Sequence, residues 1–260
     1  MTRLFTFTLL LCICTQTYAQ DFSSFQKKTF IGKDGAQLPY RILYPENYDP
    51  SQAYPLVLFL HGGGERGDDN EKQLTHGVAT FLTAENRTKF PCIVIAPQCP
   101  ADSYWASTKF ERTSYPIDFD FNYSYPITTG LDLAIQLTKT IIKQEGVDKK
   151  RVYITGLSMG GMGTFEAVYR FPKLFAAAIA VCGGADVEAY KKKHAKLPFW
   201  LFHGDVDGVV RVDNSRAMYA KLQSLKAEVK YTEYPNVNHN SWEKAYVEPD
   251  LLPWLFSKKR

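Results

Sequence analysis

The sequence predicts a single α/β domain with a mostly parallel central sheet, an antiparallel N-terminal hairpin and helices on both faces. Continuous apolar runs such as Pro55–Leu60 are typical of strands that are buried on both faces. Amphipathic helical patterns such as Thr128–Lys143 separate these runs. A length of 260 residues suits one domain of this class and leaves no room for a second large one.

The elements follow one another in a regular order. Phe22–Ile31 and Ala36–Tyr44 are predicted to form the hairpin, and Leu174–Val181 is ambiguous because its alanines suit a strand or a helix. Buried strands alternating with helices favour a parallel sheet that is covered on both sides. The predicted strands after the hairpin are Pro55–Leu60, Phe90–Ala96, Arg151–Thr155, Leu174–Val181, Pro198–Phe202 and Val229–Tyr234, and the predicted helices are Thr128–Lys143, Met159–Arg170, Val212–Leu225 and Pro249–Phe256.

The first 19 residues have the pattern of a secretory signal peptide. Arg3 supplies the positive start, Leu4–Ile13 is apolar, and Ala19 is a small residue before a cleavage point. The run is short for a bilayer span, and a short N-terminal anchor is the alternative. We therefore expect a catalytic domain over residues 20–260, a secreted or periplasmic location, and no membrane span in the mature chain.

Composition excludes several classes of protein. Hydrophobic residues make up 45% and charged residues 22%, which rules out a disordered chain, a collagen-like fibre and a coiled coil. The net charge of +4 is too small for a basic surface that binds nucleic acid. Cys92, Cys99 and Cys182 remain after removal of the leader. Cys99 and Cys182 could meet in a disulfide, or all three could be buried thiols.

A nucleophile-elbow pattern follows the predicted strand Arg151–Thr155. In Gly156-Leu157-Ser158-Met159-Gly160 the serine lies on a tight turn between a strand and a helix. The flanking positions are glycine because a side chain there would collide with neighbouring backbone. The turn exposes the Ser158 hydroxyl and directs the first amides of the helix toward the group that it attacks.

A glycine-rich loop, His61-Gly62-Gly63-Gly64, follows the strand Pro55–Leu60. Glycines let the backbone approach a developing oxyanion and direct N–H groups toward it. We expect the amide of Gly63 or Gly64 to pair with that of Met159 in an oxyanion hole. His61 is expected to orient the loop through hydrogen bonds, and a role as general base is the alternative.

Ser158 needs a base, and three histidines lie downstream. His194 falls in a lysine-rich stretch and is expected on a solvated helix face, while His203 ends a strand and is expected to pack locally. His239 lies in a loop after the last predicted strand, from which a base can reach over the carboxyl edge of the sheet. His239 is therefore the predicted base.

The acid that orients the base should follow the preceding strand. The turn His203–Gly208 contains Asp205 and Asp207, and the Asp207-Gly208 pair suits the tighter turn, so Asp205 would brace the loop. The order Ser158, Asp207, His239 is that of the α/β-hydrolases. Three motifs at strand ends in this order are more specific than any one of them.

On these residues the chain resembles secreted α/β-hydrolases of the carboxylesterase, feruloyl-esterase and polyhydroxybutyrate-depolymerase type. It is most similar to the branch labelled predicted peptidases or phospholipase/carboxylesterase-like proteins. The resemblance implies a triad of Ser158, Asp207 and His239, because the acid of that family falls on the fourth residue after the histidine at the strand end. The matching stretches are Leu58–Asn70, Val94–Pro100, Tyr153–Gly163, Phe202–Val210 and Asn238–Trp242.

One aromatic-rich segment, Tyr104–Tyr125, bears on the substrate. It holds 8 aromatic residues in 22 positions, against 14% in the whole chain, and it follows a predicted strand at the sheet edge where the site is expected. The rings could stack a sugar or a phenolic acid, or they could be one face of a packed flap. Trp105 and Trp242 are the predicted residues of the pocket wall.

The sequence therefore predicts an exported serine esterase that needs no cofactor. It contains no phosphate-binding glycine loop, and no Cys/His cluster has zinc spacing, so no metal is expected. The expected partner is a small-molecule or polysaccharide-linked ester. A serine peptidase with the same triad and a non-catalytic binding module are the alternatives.

Overall fold

Ten strands and six α-helices follow one another in the computed structural model, which describes residues 20–260. The predicted signal peptide, residues 1–19, lies outside the described residues. The strands are β1 (Gln26–Ile31), β2 (Gln37–Leu43), β3 (Tyr54–Leu60), β4 (Ile93–Pro97), β5 (Thr108–Lys109), β6 (Asp120–Phe121), β7 (Val147–Leu157), β8 (Ala177–Val181), β9 (Phe199–Gly204) and β10 (Val229–Tyr234). The helices are α1 (Ala84–Lys89), α2 (Thr129–Gln144), α3 (Met159–Arg170), α4 (Val212–Ser224), α5 (Trp242–Ala245) and α6 (Leu251–Ser257), with 3₁₀ turns at Gly63–Glu65, Lys72–Leu74 and Val78–Phe81.

Eight strands form the central sheet in the order β1-β2-β4-β3-β7-β8-β9-β10. The hairpin β1–β2 is antiparallel and β2 is antiparallel to β4, whereas each further neighbouring pair is parallel. The predicted α/β class and its antiparallel N-terminal hairpin are confirmed. The ambiguous segment Leu174–Val181 contains a strand, because β8 pairs with β7 on one side and β9 on the other.

The described chain also contains elements that the sequence pattern did not predict. Helix α1 is six residues long, and its start is capped by Thr83, whose hydroxyl accepts the amide hydrogen of Asn86 at 3.2 Å. Strands β5 and β6 pair in a separate two-stranded ribbon within the aromatic segment. These pieces are too short to produce a hydrophobic period.

Each face of the sheet has its own hydrophobic core. Helices α2, α3 and α4 cover one face through side chains such as Leu131, Phe165 and Met218. Helix α6 and the 3₁₀ turn Val78–Phe81 cover the other through side chains such as Trp254 and Phe81. The strands between the two layers are therefore apolar on both faces, as in the fully buried run of β3.

The parallel strands end in register along one edge of the sheet. The loops that carry the predicted site residues follow β3, β7, β9 and β10, so this alignment brings them together. The last paired residues are Leu60 with Gly156, Leu157 with Val181, Val181 with Phe202, and Gly204 with Tyr234.

Across residues 20–260 no helix combines the length and the apolar character that a membrane crossing needs.

Cys92, Cys99 and Cys182 are free and buried, so the disulfide between Cys99 and Cys182 is not formed and the interpretation as three thiols holds.

Candidate active site

Ser158 lies on a strained turn between β7 and α3. Its backbone angles are φ 53° and ψ −116°, a region that residues other than glycine rarely adopt. A Cβ on Gly160 would lie 1.9 Å from the carbonyl oxygen of Leu60, so only glycine permits this approach of the helix to β3. The Ser158 amide donates to the carbonyl of Val181 at 2.8 Å, which ties the turn to β8.

A hydrogen-bonded chain links Ser158, His239 and Asp207. Nε2 of His239 lies 2.9 Å from Oγ of Ser158, and Nδ1 lies 2.8 Å from Oδ2 of Asp207. An ionised carboxylate can only accept, so Nδ1 carries the hydrogen and Nε2 of the neutral ring can accept from the hydroxyl. The structure thus places the three sequence-predicted residues in one chain, with the ring in the tautomer that a base requires.

The Asp207 carboxylate is held by donors on both oxygens. Oδ1 accepts the amides of Val209 and Val210 at 2.8 and 2.9 Å. Oδ2 lies 3.1 Å from Nε2 of His203 as well as 2.8 Å from Nδ1 of His239. Burial acts to raise the pKa of Asp207, but the hydrogen bonds from the two histidines outweigh it and lower the pKa well below its usual value.

His203 therefore packs locally, as expected, and also contacts the acid of the chain. Its Nδ1 lies 2.7 Å from Oγ of Ser215, and its Nε2 lies between the carbonyl of Val210 and Asp207. Two acceptors at Nε2 place the hydrogen there and leave Nδ1 to accept from the Ser215 hydroxyl. The sequence signal for this contact was the four-residue spacing between His203 and Asp207.

Asp205 has a different environment. Its Oδ1 accepts the amide of Asn236 at 2.7 Å and so ties the turn after β9 to the loop after β10. Asn238 adds a second tie, because its Oδ1 accepts the amides of Gly208 and His239 at 2.8 and 2.7 Å. The loops that carry the carboxylate and the imidazole are thereby held together, with Asp205 as a brace.

The His239 ring has a further neighbour that the sequence did not point to. Cys182 follows β8, and its sulfur, a ring nitrogen of His239 and a carboxylate oxygen of Asp207 all lie within 4.8 Å of one another. Burial acts to lower the pKa of His239, but Cys182 and the hydrogen bond to Asp207 raise it above the ordinary 6.5. No sequence spacing links these residues, because each one follows a different strand.

The glycine loop after β3 is anchored by His61. Its Nε2 accepts the amide of Cys99 at 2.9 Å, so Nδ1 carries the hydrogen and donates to the carbonyl of Gly62 at 2.7 Å. Burial lowers the pKa of His61 to about 4, which keeps this ring neutral. The imidazole is thus engaged on both nitrogens with backbone, in agreement with an orienting role for His61.

Trp105 does not lie in the pocket wall, and that prediction is wrong. The side chain is 0% exposed and packs beneath the glycine loop, with its indole N–H donating to the carbonyl of His61 at 3.1 Å. It also packs against Gly163, where a Cβ would lie 2.5 Å from the Cβ of Trp105. A large ring between β3 and α3 is more stable in the core than in the cleft.

A pocket of about 280 Å³ opens at Ser158 and His239. Trp242 lines it, as predicted, and its ring makes an edge contact with that of His239 at 5.2 Å between centroids. The glycine loop forms another wall. The remaining lining is a mixture of aromatic, aliphatic and charged side chains: Glu65, His76, Tyr104, Arg112, Tyr115, Ile117, Phe119, Leu157, Val209 and Val210.

The aromatic segment divides between the pocket and the core. Tyr104, Tyr115 and Phe119 line the pocket, whereas Tyr123 is buried in the core. Phe110 bridges Tyr104 and Phe119, with ring centroids 5.2 and 5.0 Å apart. The segment is thus both a packed flap and a wall of the pocket, and neither alternative describes it alone.

One sequence interpretation changes at the level of a single side chain. His194 is 1% exposed and packs against Tyr169 and Tyr190, so its prediction as a solvated residue is wrong. Glu65, directly after the glycine loop, lies in the pocket 4.0 Å from His76. Burial raises the pKa of Glu65, against the opposing effect of His76.

Comparison with known protein families gives a clear match. The model of the family described as phospholipase/carboxylesterase matches residues 48–247, which is most of the chain and includes every strand-end loop of the site.

Individual relatives agree with this match. A bifunctional acetylxylan esterase/xylanase from Neocallimastix patriciarum is 31% identical over 78% of this chain and 27% of its own. A thermostable esterase of known structure superposes with a TM-score of 0.81 and 37% identity, over 91% of this chain and 64% of that chain. A ferulic acid esterase from Anaeromyces mucronatus, solved with ferulic acid, shares the fold at a TM-score of 0.60 and 15% identity, over 90% and 93%.

Proposed function

The chain belongs to the phospholipase/carboxylesterase family of α/β-hydrolases and is a carboxylic ester hydrolase, and from this premise we propose that it cleaves short acyl or phenolic esters carried by polysaccharides outside the cytoplasm. Ser158 is the proposed nucleophile, His239 the base and Asp207 the orienting acid. The observation that carries the proposal is the hydrogen-bonded chain of these three side chains, which ends in a small pocket.

Acylation begins with the transfer of the Ser158 proton to Nε2 of His239. The alkoxide oxygen attacks the ester carbonyl, and the resulting imidazolium is stabilised by Asp207, which stays ionised. Collapse of the tetrahedral intermediate breaks the bond to the alcohol, which leaves with the proton from His239. Water then attacks the acyl-enzyme with the same base and releases the acid.

The oxyanion of each tetrahedral intermediate needs donors that are already in place. The proposed donors are the amides of Met159, the first residue of α3, and Gly63, in the loop that His61 anchors. Gly63 and Ser158 line the same pocket, so an ester carbonyl at the hydroxyl also lies beside this loop. The rigidity of the loop supports the proposal, because donors that need no rearrangement stabilise charge best.

The size and polarity of the pocket support an ester substrate with a small acyl group and a polar alcohol. A volume of about 280 Å³ is below the usual range for drug-sized ligands, which suits an acetyl group or one phenolic ring better than a long fatty acyl chain. Trp242, Tyr104 and Phe119 offer faces for one ring. Glu65, His76 and Arg112 offer hydrogen bonds to hydroxyl groups of a sugar.

The relatives support the same class of substrate. The relative from Neocallimastix patriciarum has a name that couples acetylxylan esterase with xylanase, and the structure with ferulic acid is that of a ferulic acid esterase. Polysaccharides of this kind are outside the cell, and the signal-peptide pattern of residues 1–19 agrees with export to that compartment.

A panel of esters and amides tests the proposal. We expect hydrolysis of p-nitrophenyl acetate, acetylated xylo-oligosaccharides and feruloylated sugars, with activity falling steeply for p-nitrophenyl esters of long acyl chains. Peptide amides, the substrates of the alternative serine peptidase, are expected to remain intact. Long-chain esters as the best substrates would contradict the proposed acyl class, and cleavage of the peptides alone would contradict ester specificity.

The control for the panel is Ser158→Ala. Without the nucleophile, turnover should fall about 10⁴- to 10⁶-fold, because only binding and the oxyanion donors remain. Circular dichroism and the melting temperature should match those of the wild type. A folded variant with near-normal activity on the same esters would refute Ser158 as the nucleophile.

A further inference from the structure

Cys182 lies beside the proposed triad, and ester hydrolysis gives it no role. It follows β8 with φ 40°, and its amide donates to the carbonyl of Phe202 at 2.8 Å, so its position is held by the sheet. Its side chain is buried, and its sulfur belongs to the group with Asp207 and His239 whose atoms lie within 4.8 Å of one another. Thiolate, imidazole and carboxylate are the three ligand types that zinc prefers.

We propose that Cys182, His239 and Asp207 form a binding site for a soft divalent cation such as Zn²⁺ or Cd²⁺, and that occupation of this site switches the hydrolase off. Tetrahedral zinc, with bonds of about 2.0–2.3 Å, places its ligand atoms roughly 3.3–3.8 Å apart. The ligand atoms of the three side chains lie within 4.8 Å of one another, which is close to that spacing. Water completes the fourth position.

Charge favours the binding of a cation at this cluster. The thiol releases one proton to solvent when the metal binds, and Asp207 is already ionised, so the cation meets two anionic ligands in a buried place. The low effective dielectric of this buried place strengthens the attraction of the cation to the thiolate and to the carboxylate. Hard cations such as Mg²⁺ gain little from sulfur and nitrogen and should not compete.

Inhibition follows from the tautomer of His239. The nitrogen that faces Asp207 is Nδ1, so a metal in this cluster takes Nδ1 and leaves the ring hydrogen on Nε2. Nε2 then donates and no longer accepts the Ser158 proton. This part of the inference rests on the proposed function, whereas binding of the metal does not.

Cys92 and Cys99 provide matched controls because they are also buried thiols. Burial raises the pKa of each to about 12, and neither belongs to a cluster with histidine and carboxylate in the described part of the chain. Their replacement by serine should therefore leave metal binding unchanged.

The experiment titrates the purified hydrolase with Cd²⁺ and follows the ultraviolet absorbance of the cadmium–thiolate bond. We expect one saturable site in the wild type and in Ser158→Ala, and loss of the signal in both Cys182→Ser and Cys182→Ala. In parallel, Zn²⁺ should inhibit hydrolysis of p-nitrophenyl acetate reversibly, with EDTA restoring the rate. The half-inhibitory concentration should rise at least tenfold in the Cys182 variants, each compared with its own uninhibited rate, and should stay unchanged in Cys92→Ser and Cys99→Ser.

The outcomes separate the two proposals. Thiolate absorbance that persists without Cys182, or an equal loss in Cys99→Ser, refutes the metal site. Cadmium binding at Cys182 without any hydrolysis of esters refutes the proposed substrates and leaves the site intact. Two substitutions at Cys182 are used because either one could destabilise its strained turn, and thermal melting shows which variants are folded.

Discussion

Asp207 shows how single side chains organise this site. Four donors surround its carboxylate, and two of them are histidine rings that both contact Oδ2. The nearby Asp205 instead accepts one backbone amide of the neighbouring loop. The two aspartates are two residues apart, but only one lies where it can orient an imidazole.

Asp207→Asn should lower turnover about 10³- to 10⁴-fold, because an amide can no longer hold His239 in the required tautomer. The matched variant Asp205→Asn should cost far less, through the loop alone. Steady-state kinetics and thermal melting of both variants make the comparison. Greater damage from Asp205→Asn, with both proteins folded, would show that the acid has been misassigned.

The raised pKa of His239 predicts activity on the alkaline side. A protonated ring cannot accept the Ser158 proton, so kcat/KM falls as the pH drops through this pKa. The half-maximal pH should therefore lie above 6.5, and Cys182→Ala should move it downward because one cause of the shift is gone. Cys99→Ala should leave it in place. A wild-type midpoint at or below 6.5 would contradict this assignment.

At the scale of elements, the glycine loop, α3 and the aromatic segment are packed as one unit. Trp105 joins them, because its Cβ lies against Gly163 of α3 while its indole N–H donates to the carbonyl of His61. His61 in turn engages Gly62 and Cys99. The aromatic segment thus packs against the glycine loop and also contributes rings to the pocket.

Trp105→Ala should destabilise the fold by about 3–5 kcal/mol, because it leaves a large buried cavity. In a domain of this size that corresponds to a melting temperature lower by roughly 10 °C. The contrasting variant is Trp242→Ala in the pocket wall. It should raise KM for feruloyl esters roughly two- to tenfold, leave acetyl esters nearly unchanged and affect melting little.

Melting curves beside kinetics on one feruloyl and one acetyl ester distinguish these roles. If Trp105→Ala had normal stability and a raised KM for feruloyl esters alone, this result would show that Trp105 contacts the substrate. Uniform loss of activity in Trp242→Ala would instead argue against its ring as a platform for the substrate.

At the scale of the whole molecule, the described chain packs from close to its beginning. Phe25 is 1% exposed in one core, and its carbonyl accepts a hydrogen bond from Nη1 of Arg41 at 2.7 Å. Phe25 therefore lies in the part of the chain that a cut after Ala19 would leave in place.

Expression with the native N-terminus in a secreting bacterial host should yield mature protein that begins at Gln20. Mass spectrometry of the periplasmic and culture fractions measures this terminus. Ala19→Arg should block the cut, because signal peptidases need a small residue there. Full-length protein that starts at Met1 and stays in the membrane fraction would support an N-terminal anchor instead.

Much of this protein is determined by local sequence. Apolar runs such as Pro55–Leu60 predicted strands that follow the hairpin, because burial on both faces requires continuous hydrophobic side chains. The strained turn at Ser158 could also be predicted, since it depends on glycines adjacent in the chain. Ser158, Asp207 and His239 each come after a predicted parallel strand, so the sequence also predicted that they lie at the same edge of the sheet.

Tertiary structure decided the contacts between side chains that are far apart in the sequence. Trp105 and Trp242 are equally aromatic, but only the packing of α3 on β3 places one in the core and the other at the cleft. Cys182 meets His239 and Asp207 because three separate strands end in register at one edge of the sheet. A side chain's neighbours across such an edge depend on strand order, which no local pattern contains.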